Sequence, residues 1–321
     1  VLIMPTPPDH PPTLPRRIVV DGTAPVRADI AIARAYPQAG RQRIAELFAD
    51  GAVRGAGGRL RKGDLVPVGS EIVLARAPVA GEDLRAIADP DAAARLDVLI
   101  TTPEVLAVSK PTAMPSQPLR AGERGCAANG IVALHPECAR LGNDLREAGL
   151  VHRLDAETTG VLIAARTDAS WRALREAFRS GAVHKEYWAV CGRAPARARC
   201  DAALTQRGGR AVIDEVGGQA ASTEFEVLVS RPDLVLVRCV ARTGRMHQVR
   251  AHLAAVGAPL VGDARYGGPP APDGGSFILH ARVVALPPGS WPARIEAPLP
   301  AAQAQRLRAW GLAVPPAGRS A

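Results

Sequence analysis

A carboxylate flanked by cationic side chains stands just ahead of an apolar run in the segment Val151-His152-Arg153-Leu154-Asp155-Ala156-Glu157-Thr158-Thr159-Gly160. Residues 161–165 are continuously apolar and read as a strand, with Thr158, Thr159 and Gly160 making the turn into it. Asp155 is therefore offered from a loop or edge position held by a rigid element, where functional side chains concentrate. An ionised carboxylate there can act as a nucleophile or stabilise developing positive charge. It can equally be half of a structural ion pair, which is the commoner role for an Asp near an Arg. The residues by themselves leave both open.

Other residue types that carry chemistry are less suggestive. His247 and His252 are five apart, about 140° round a helix that advances about 100° per residue, and no carboxylate accompanies them. They read as hydrogen-bonding residues and not as metal ligands. The five cysteines, Cys126, Cys138, Cys191, Cys200 and Cys239, contain no Cys-x-x-Cys pair. Neither a zinc site nor a disulfide framework is indicated, and a reducing compartment is expected. No run approaches the ~20 apolar residues of a membrane span, so the expected location is cytoplasmic, with no membrane partner.

The elements that must position Asp155 follow from patterning. Strand-like runs recur at 98–101, 105–109, 161–165, 186–190, 223–229 and 234–240. A helix is predicted over 169–179, with Trp171, Leu174 and Phe178 on its inner face and Arg172, Arg175 and Arg179 on another. A second helix is predicted over 246–256, with Met246, Val249, Leu253 and Val256 inward and Gly257 closing it. Many strands with few helices imply an α+β domain on a mixed or antiparallel central sheet with flanking helices.

Upstream, helical patterning over 28–36 and 40–50 precedes Gly51 as a cap, a Gly55–Gly58 turn and a strand over 71–75. This segment is rich in arginine, including Arg41, Arg43 and Arg54, and suits a small α/β phosphate-binding module. The expected organisation is a disordered proline-rich tail at 1–17, the basic module at 18–77, a linker at 78–95, a large domain at 96–302 and a C-terminal tail at 303–321. A net charge of +9 and a sequence pI near 10.0 favour a polyanionic partner, because each neutralised phosphate releases counterions.

Several motifs in fixed order then carry a resemblance. His152-Arg153-Leu154-Asp155 with Thr158-Thr159-Gly160 is similar to the HRLDxxTSG signature of the RluA-type pseudouridine synthases. Ser109-Lys110-Pro111 with Met114 and Pro115 looks like that family's entry segment, and Lys185-Glu186-Tyr187 with Ala189 looks like its KxYxA strand. Thr243-Gly244-Arg245-Met246-His247-Gln248-Val249-Arg250, then His252, Gly262-Asp263 and Tyr266-Gly267, resembles TGRxHQIRxH followed by GDxxYG. Leu279-His280-Ala281 looks like the closing LHA. Thr159 stands where serine is usual, Ser109 where asparagine is common, and the segment after Ala281 lacks the customary FxHP. The N-terminal module resembles, less closely, the RNA-binding domain named after ribosomal protein S-four, through Arg41-Gln42-Arg43-Ile44, Asp50 to Val53 and Gly69 to Ile72.

The resemblance implies a cofactor-free, metal-free isomerase that converts uridine in structured RNA to pseudouridine, since the rearrangement is redox-neutral and uracil supplies its own atoms. It implies Asp155 as the essential carboxylate, Arg245 as its counter-ion and Tyr187 as the side chain that contacts the target base. Anomeric attack, attack on the base and elimination to a glycal all remain open. Arg153 either stacks and binds phosphate beside the flipped nucleotide or holds the loop as an ion pair. His152, His247 and Arg250 are expected to contact RNA. Glu157 suggests a paired-carboxylate glycosidase, but the family pattern varies at that position and it reads as a solvated surface residue. The partner is RNA, ribosomal in preference to transfer RNA, and the protein is expected to be a monomer. A non-catalytic RNA-binding factor would show a worn cleft, and a base deaminase would need a His/Cys zinc set that is not present.

Overall fold

The computed structural model describes residues 16–36, 39, 41–75, 88–119 and 122–313. The chain divides into two units at Arg85/Ala86. The expected linker at 78–95 lies in part outside the described residues, as does the proline-rich tail up to residue 15.

In the N-terminal unit, β1 (Arg16–Val19), which was not predicted, is an outer strand of an antiparallel sheet in the order β1-β6-β3-β4. The others are β3 (Val53–Gly55), β4 (Gly58–Arg59) and β6 (Glu71–Leu74). Two short strands, β2 (Val26–Arg27) and β5 (Leu65–Val66), pair separately. Helices α1 (Ala28–Ala35) and α2 (Arg41–Ala49) bury Ile32, Ile44 and Leu47 against Ile72 and Leu74. The predicted turn is the β3–β4 hairpin, with Gly55 opposite Gly58. Gly51 leaves α2 in left-handed conformation, φ +69°, donating to the Phe48 carbonyl, and Arg59 donates to the carbonyls of Phe48 and Ala49 in the last turn. Arg41 opens α2, with its side chain outside the described residues. Arg43 is half-buried and Arg54 is exposed.

The second unit is built on a nine-stranded mixed sheet. Its strands are β7 (Asp97–Thr101), β8 (Val105–Lys110), β9 (Thr159–Ala165), β10 (His184–Cys191), β11 (Arg199–Cys200), β14 (Thr223–Ser230), β15 (Val235–Ala241), β16 (Leu279–Ala285) and β17 (Arg294–Glu296). The order is β11-β14-β15-β10-β16-β9-β8-β7, with β17 paired to the far end of β16. All ladders are antiparallel except β9–β16. That parallel contact is made by Thr159 and Gly160 opposite His280 and Ala281. Gly160 has φ +111°, and a Cβ there would lie 2.1 Å from the carbonyl oxygen of Ala281, so only glycine fits.

Both faces of β9 are covered, which explains its unbroken apolar run. On one face α3 (Ala127–Leu134) packs Ala127, Ala128 and Ile131 over Leu162 and Ala164. On the other, α4 (Asp168–Ser180) packs Trp171, Leu174 and Ala177 over Val161, Ile163 and Ala165. Thr167 and Ser170 form a reciprocal cap at the start of α4, and Gly181 ends it in left-handed conformation. Further along the sheet, α5 (Gln248–Ala255) and the Val256 that follows it set Val249, Leu253 and Val256 against Phe225, Cys239 and Leu260. It starts two residues later than predicted, and Met246 lies in the preceding loop, half-buried.

A short hairpin, β12 (Leu204–Arg207) and β13 (Arg210–Ile213), turns at Gly208-Gly209. The expected tail at 303–321 is corrected in part. Helix α6 (Ala301–Ala309) buries Gln303 and Leu307, the latter beside Trp188, Val190 and Leu236. Residues 314–321 lie outside the described residues. All five cysteines are free and four of them are buried. Among the described residues, no helix is long and apolar enough to cross a membrane.

Candidate active site

Tyr187 packs on two core clusters, the one under α3 and the one under α5, and so lies on the seam between them. Leu154, one residue before Asp155, belongs to the first of these clusters. The approach to Asp155 runs beside β9: Leu150 bridges Ala164, Val151 donates to Ile163 and Ala165 donates to Gly149. Ser116, 5% exposed, then holds Leu154 at two points, donating to its carbonyl at 2.8 Å and accepting its N–H at 2.9 Å. Thr158 N–H closes a turn on the Asp155 carbonyl.

Lys110, at the end of β8, has no solvent exposure, and its ammonium donates to the carbonyls of Pro111, Met114 and Ala156 at 2.7, 2.7 and 2.9 Å. Burial lowers its pKa to about 8, against the opposing pull of Glu157 and Asp155. These bonds fix the backbone on both sides of Asp155. Ser116 carried no sequence signal, and Lys110 was legible only as part of a motif.

Asp155 keeps a quarter of its side-chain surface exposed. Its partner is Arg250, whose Nη1 donates to Asp155 Oδ2 at 3.1 Å. This corrects the expectation for Arg245, which turns away and donates from Nε to the carbonyl of Ala220 at 3.1 Å. It also corrects the RNA-contact expectation for Arg250, whose side chain is only 7% exposed and is used up inside the site. Arg250 lies in the first turn of α5, where its guanidinium is gripped by Asp263 through Nε–Oδ2 at 2.7 Å and Nη2–Oδ1 at 2.9 Å. It sits between the rings of Tyr266 and Phe277, with centroids at 4.9 and 4.6 Å. Two carboxylates more than offset its burial and raise its pKa. Asp263, 2% exposed, had been legible only as part of a motif.

The other expected residues divide. His152, expected to contact RNA, is engaged within the protein: its ring stacks on Phe178 at 4.6 Å and 13°, and Nε2 accepts the Ile163 N–H. Burial, with help from Lys185 and Arg175, lowers its pKa to about 3, so it is neutral. Arg153 is exposed and makes no hydrogen bond or ion pair among the described residues, so it does not hold the loop as an ion pair. His247 faces Asp155, with Nε2 3.8 Å from Oδ1, and its Nδ1 meets Tyr266 Oη at 2.9 Å. His252 is buried, bonded to Thr223 and the Ala202 carbonyl. Burial above all, then the Asp155 charge, pushes the Tyr187 hydroxyl well up, so the phenol keeps its proton. Gln248 ties the turn before α5, accepting from Thr243 and Arg245 and donating to Ser222. Lys185 donates to the Thr243 carbonyl at 2.9 Å, and burial and Arg245 lower its pKa to about 8. Among the described residues, no group of three His, Cys, Asp or Glu side chains could hold a metal ion.

The family model for RNA pseudouridylate synthase matches residues 104–255, a span that contains Asp155, Tyr187 and Arg250. The chain is 31% identical over 262 residues to ribosomal large subunit pseudouridine synthase D of Yersinia pestis, covering 80% of this chain and 78% of that one. It is 32% identical over 309 residues to the protein of the same name from Xylella fastidiosa, covering 91% of each. A solved structure of human RNA pseudouridylate synthase domain containing 4 shares the fold, with TM-score 0.55 and 23% identity over 68% of this chain and 95% of that one. Fold and matched motifs together define a pseudouridine synthase. The chain belongs to the RluA-type family of these isomerases.

Proposed function

We propose that this protein converts particular uridines of large-subunit ribosomal RNA to pseudouridine, with Asp155 as the essential carboxylate. The names of the Yersinia and Xylella relatives favour ribosomal RNA as the substrate. One observation carries the choice of residue: a partly exposed carboxylate with Oδ2 bonded to the buried guanidinium of Arg250 and Oδ1 facing His247 at 3.8 Å.

In the proposed reaction the bond between N1 of uracil and C1′ of ribose breaks, the base turns, and C5 bonds to C1′. The C5 proton leaves and N1 gains one, so the atoms balance. The carboxylate must be ionised when the glycosidic bond weakens, and the guanidinium of Arg250 favours that form. A phenol that keeps its proton is a poor base, so Tyr187 packs against or donates to the base and does not abstract the C5 proton. The target nucleotide must leave its stack at a cost of a few kcal/mol, and Arg153, exposed and two residues before Asp155, is proposed to stack in its stead. In the N-terminal unit, Arg41, Arg43 and Arg54 are proposed to contact phosphates, and His247 acts within the site. The protein works as a cytoplasmic monomer without a cofactor.

The test is Asp155→Asn. It should abolish release of tritium from RNA labelled at uridine C5 while RNA affinity stays within about twofold, and residual turnover near the wild-type rate would refute the assignment. Replacing Arg54 with Ala should lower the salt slope of binding by about one.

A further inference from the structure

His247 precedes α5 with φ +52° and ψ +22°, a left-handed conformation that costs a histidine free energy and is tolerated chiefly where the side chain is needed. Its ring stands edge-on to Tyr266, with centroids 5.8 Å apart. Tyr266 Oη accepts the Ala211 N–H at 2.9 Å and lies 2.9 Å from His247 Nδ1. A phenol has one proton to give, and Nδ1 is its only acceptor among the described residues.

If Tyr266 donates to Nδ1, the neutral ring carries its proton on Nε2, which faces Asp155 Oδ1 at 3.8 Å. The other tautomer would turn a lone pair on that carboxylate and leave the phenol proton without an acceptor. Burial disfavours the charged ring and outweighs the attraction of Asp155; Arg250 and Arg265 disfavour it further. The donor is therefore neutral.

We propose that Tyr266 and His247 form a positioning pair: Tyr266 fixes the Nε2–H tautomer, and His247 presents that N–H to the oxygen of Asp155 that Arg250 leaves free. The carboxylate is thereby bonded at one oxygen by Arg250 and faced at the other, across 3.8 Å, by a neutral donor in place of a second full positive charge that would blunt it. This rests on the reading of Asp155 as the essential carboxylate.

The tautomer is read without any turnover, by long-range proton–nitrogen NMR of the full chain, with His247 assigned by loss of its signals in His247→Asn. Protonated Nε2 and bare Nδ1 are expected, and Tyr266→Phe should shift Nδ1 while keeping the ring beside Arg250. Asparagine suits the left-handed position, so His247→Asn removes the imidazole with little backbone penalty. At 3.8 Å the contact is weaker than a full hydrogen bond to a charged group, so single-turnover rates should fall several-fold, to about tenfold at most, in each variant, with half-saturating RNA changed less than twofold. The double variant should be no slower than the slower single one, because both act through one N–H. A wild-type ring protonated at Nδ1 or at both nitrogens, a wild-type rate in Tyr266→Phe, or losses that multiply would each overturn the pair. Activity surviving in Asp155→Asn would instead sink the parent reading and leave the tautomer result standing.

Discussion

Replacing Asp263 with Asn tests whether a residue that never meets substrate sets the geometry of the site. Asp263 is 2% exposed and holds two of the three guanidinium hydrogen bonds made to carboxylates by Arg250; Asp155 holds the third. Breaking a buried pair at one partner costs about 3–5 kcal/mol, because the charge that remains is left uncompensated. Asparagine keeps one acceptor and Asp155 remains nearby, so the expected loss is at the lower end, about 3 kcal/mol. For a folding unit of this size that is a fall in Tm of about 6–12 °C. The guanidinium should also swing toward Asp155, and a displacement of the order of 1 Å in a reacting group costs about 100-fold in rate. Calorimetry and single-turnover tritium release, both below the variant's melting range, separate the two effects. A variant that melts within about 1 °C of wild type and turns over normally would refute the claim that Asp263 orients Arg250.

Three further outcomes follow from contacts already described. Gly160→Ala should cost about 4 kcal/mol or more, since its Cβ would strike the Ala281 carbonyl, whereas Gly257→Ala, also at positive φ but with open space around it, should cost about 1–2 kcal/mol; chemical denaturation compares them. Ser116→Ala should cost about 2 kcal/mol by stranding both backbone groups of Leu154, and should slow turnover by more than that loss of folded protein explains. His152 has its folded pKa lowered to about 3, so between pH 6.5 and 3 the unfolded chain binds the extra proton. Stability is therefore full above pH 6.5 and lost on acidification, approaching ~1.4 kcal/mol per pH unit. Denaturation of His152→Gln, which keeps an acceptor but does not titrate, should show a shallower acid limb by that one proton, and an identical limb would contradict the burial argument.

Much of the site was legible because its loop is punctuated so clearly, with charged residues, a hydroxyl turn and then a strand buried on both faces. What was misread is instructive. Arg245 and Arg250 stand in one short segment, and local pattern gives no reason to prefer either as the partner of Asp155. In the fold, the left-handed residue at His247 stands just before α5, and Arg250 in its first turn is the buried one. Asp263 and Tyr266 act on partners that pattern cannot see, and the contact between Asp155 and Arg250 spans 95 residues. Helix α3 was not expected because its sequence, Ala127-Ala128-Asn129-Gly130-Ile131-Val132-Ala133-Leu134, is largely apolar and has no polar face to give a period. Strands were easier, since alternating or continuous apolar runs at 105–109, 186–190 and 234–240 mark them directly.

The ammonium of Lys110 has a use beyond holding backbone in place. Sealed under three carbonyls, it is out of reach of an acylating reagent until the segments around it part. Its rate of acylation by a small amine-reactive ester, followed by peptide mass, would therefore time the opening of the loop that carries Asp155 in the intact protein. RNA that seats on that loop should lengthen the interval.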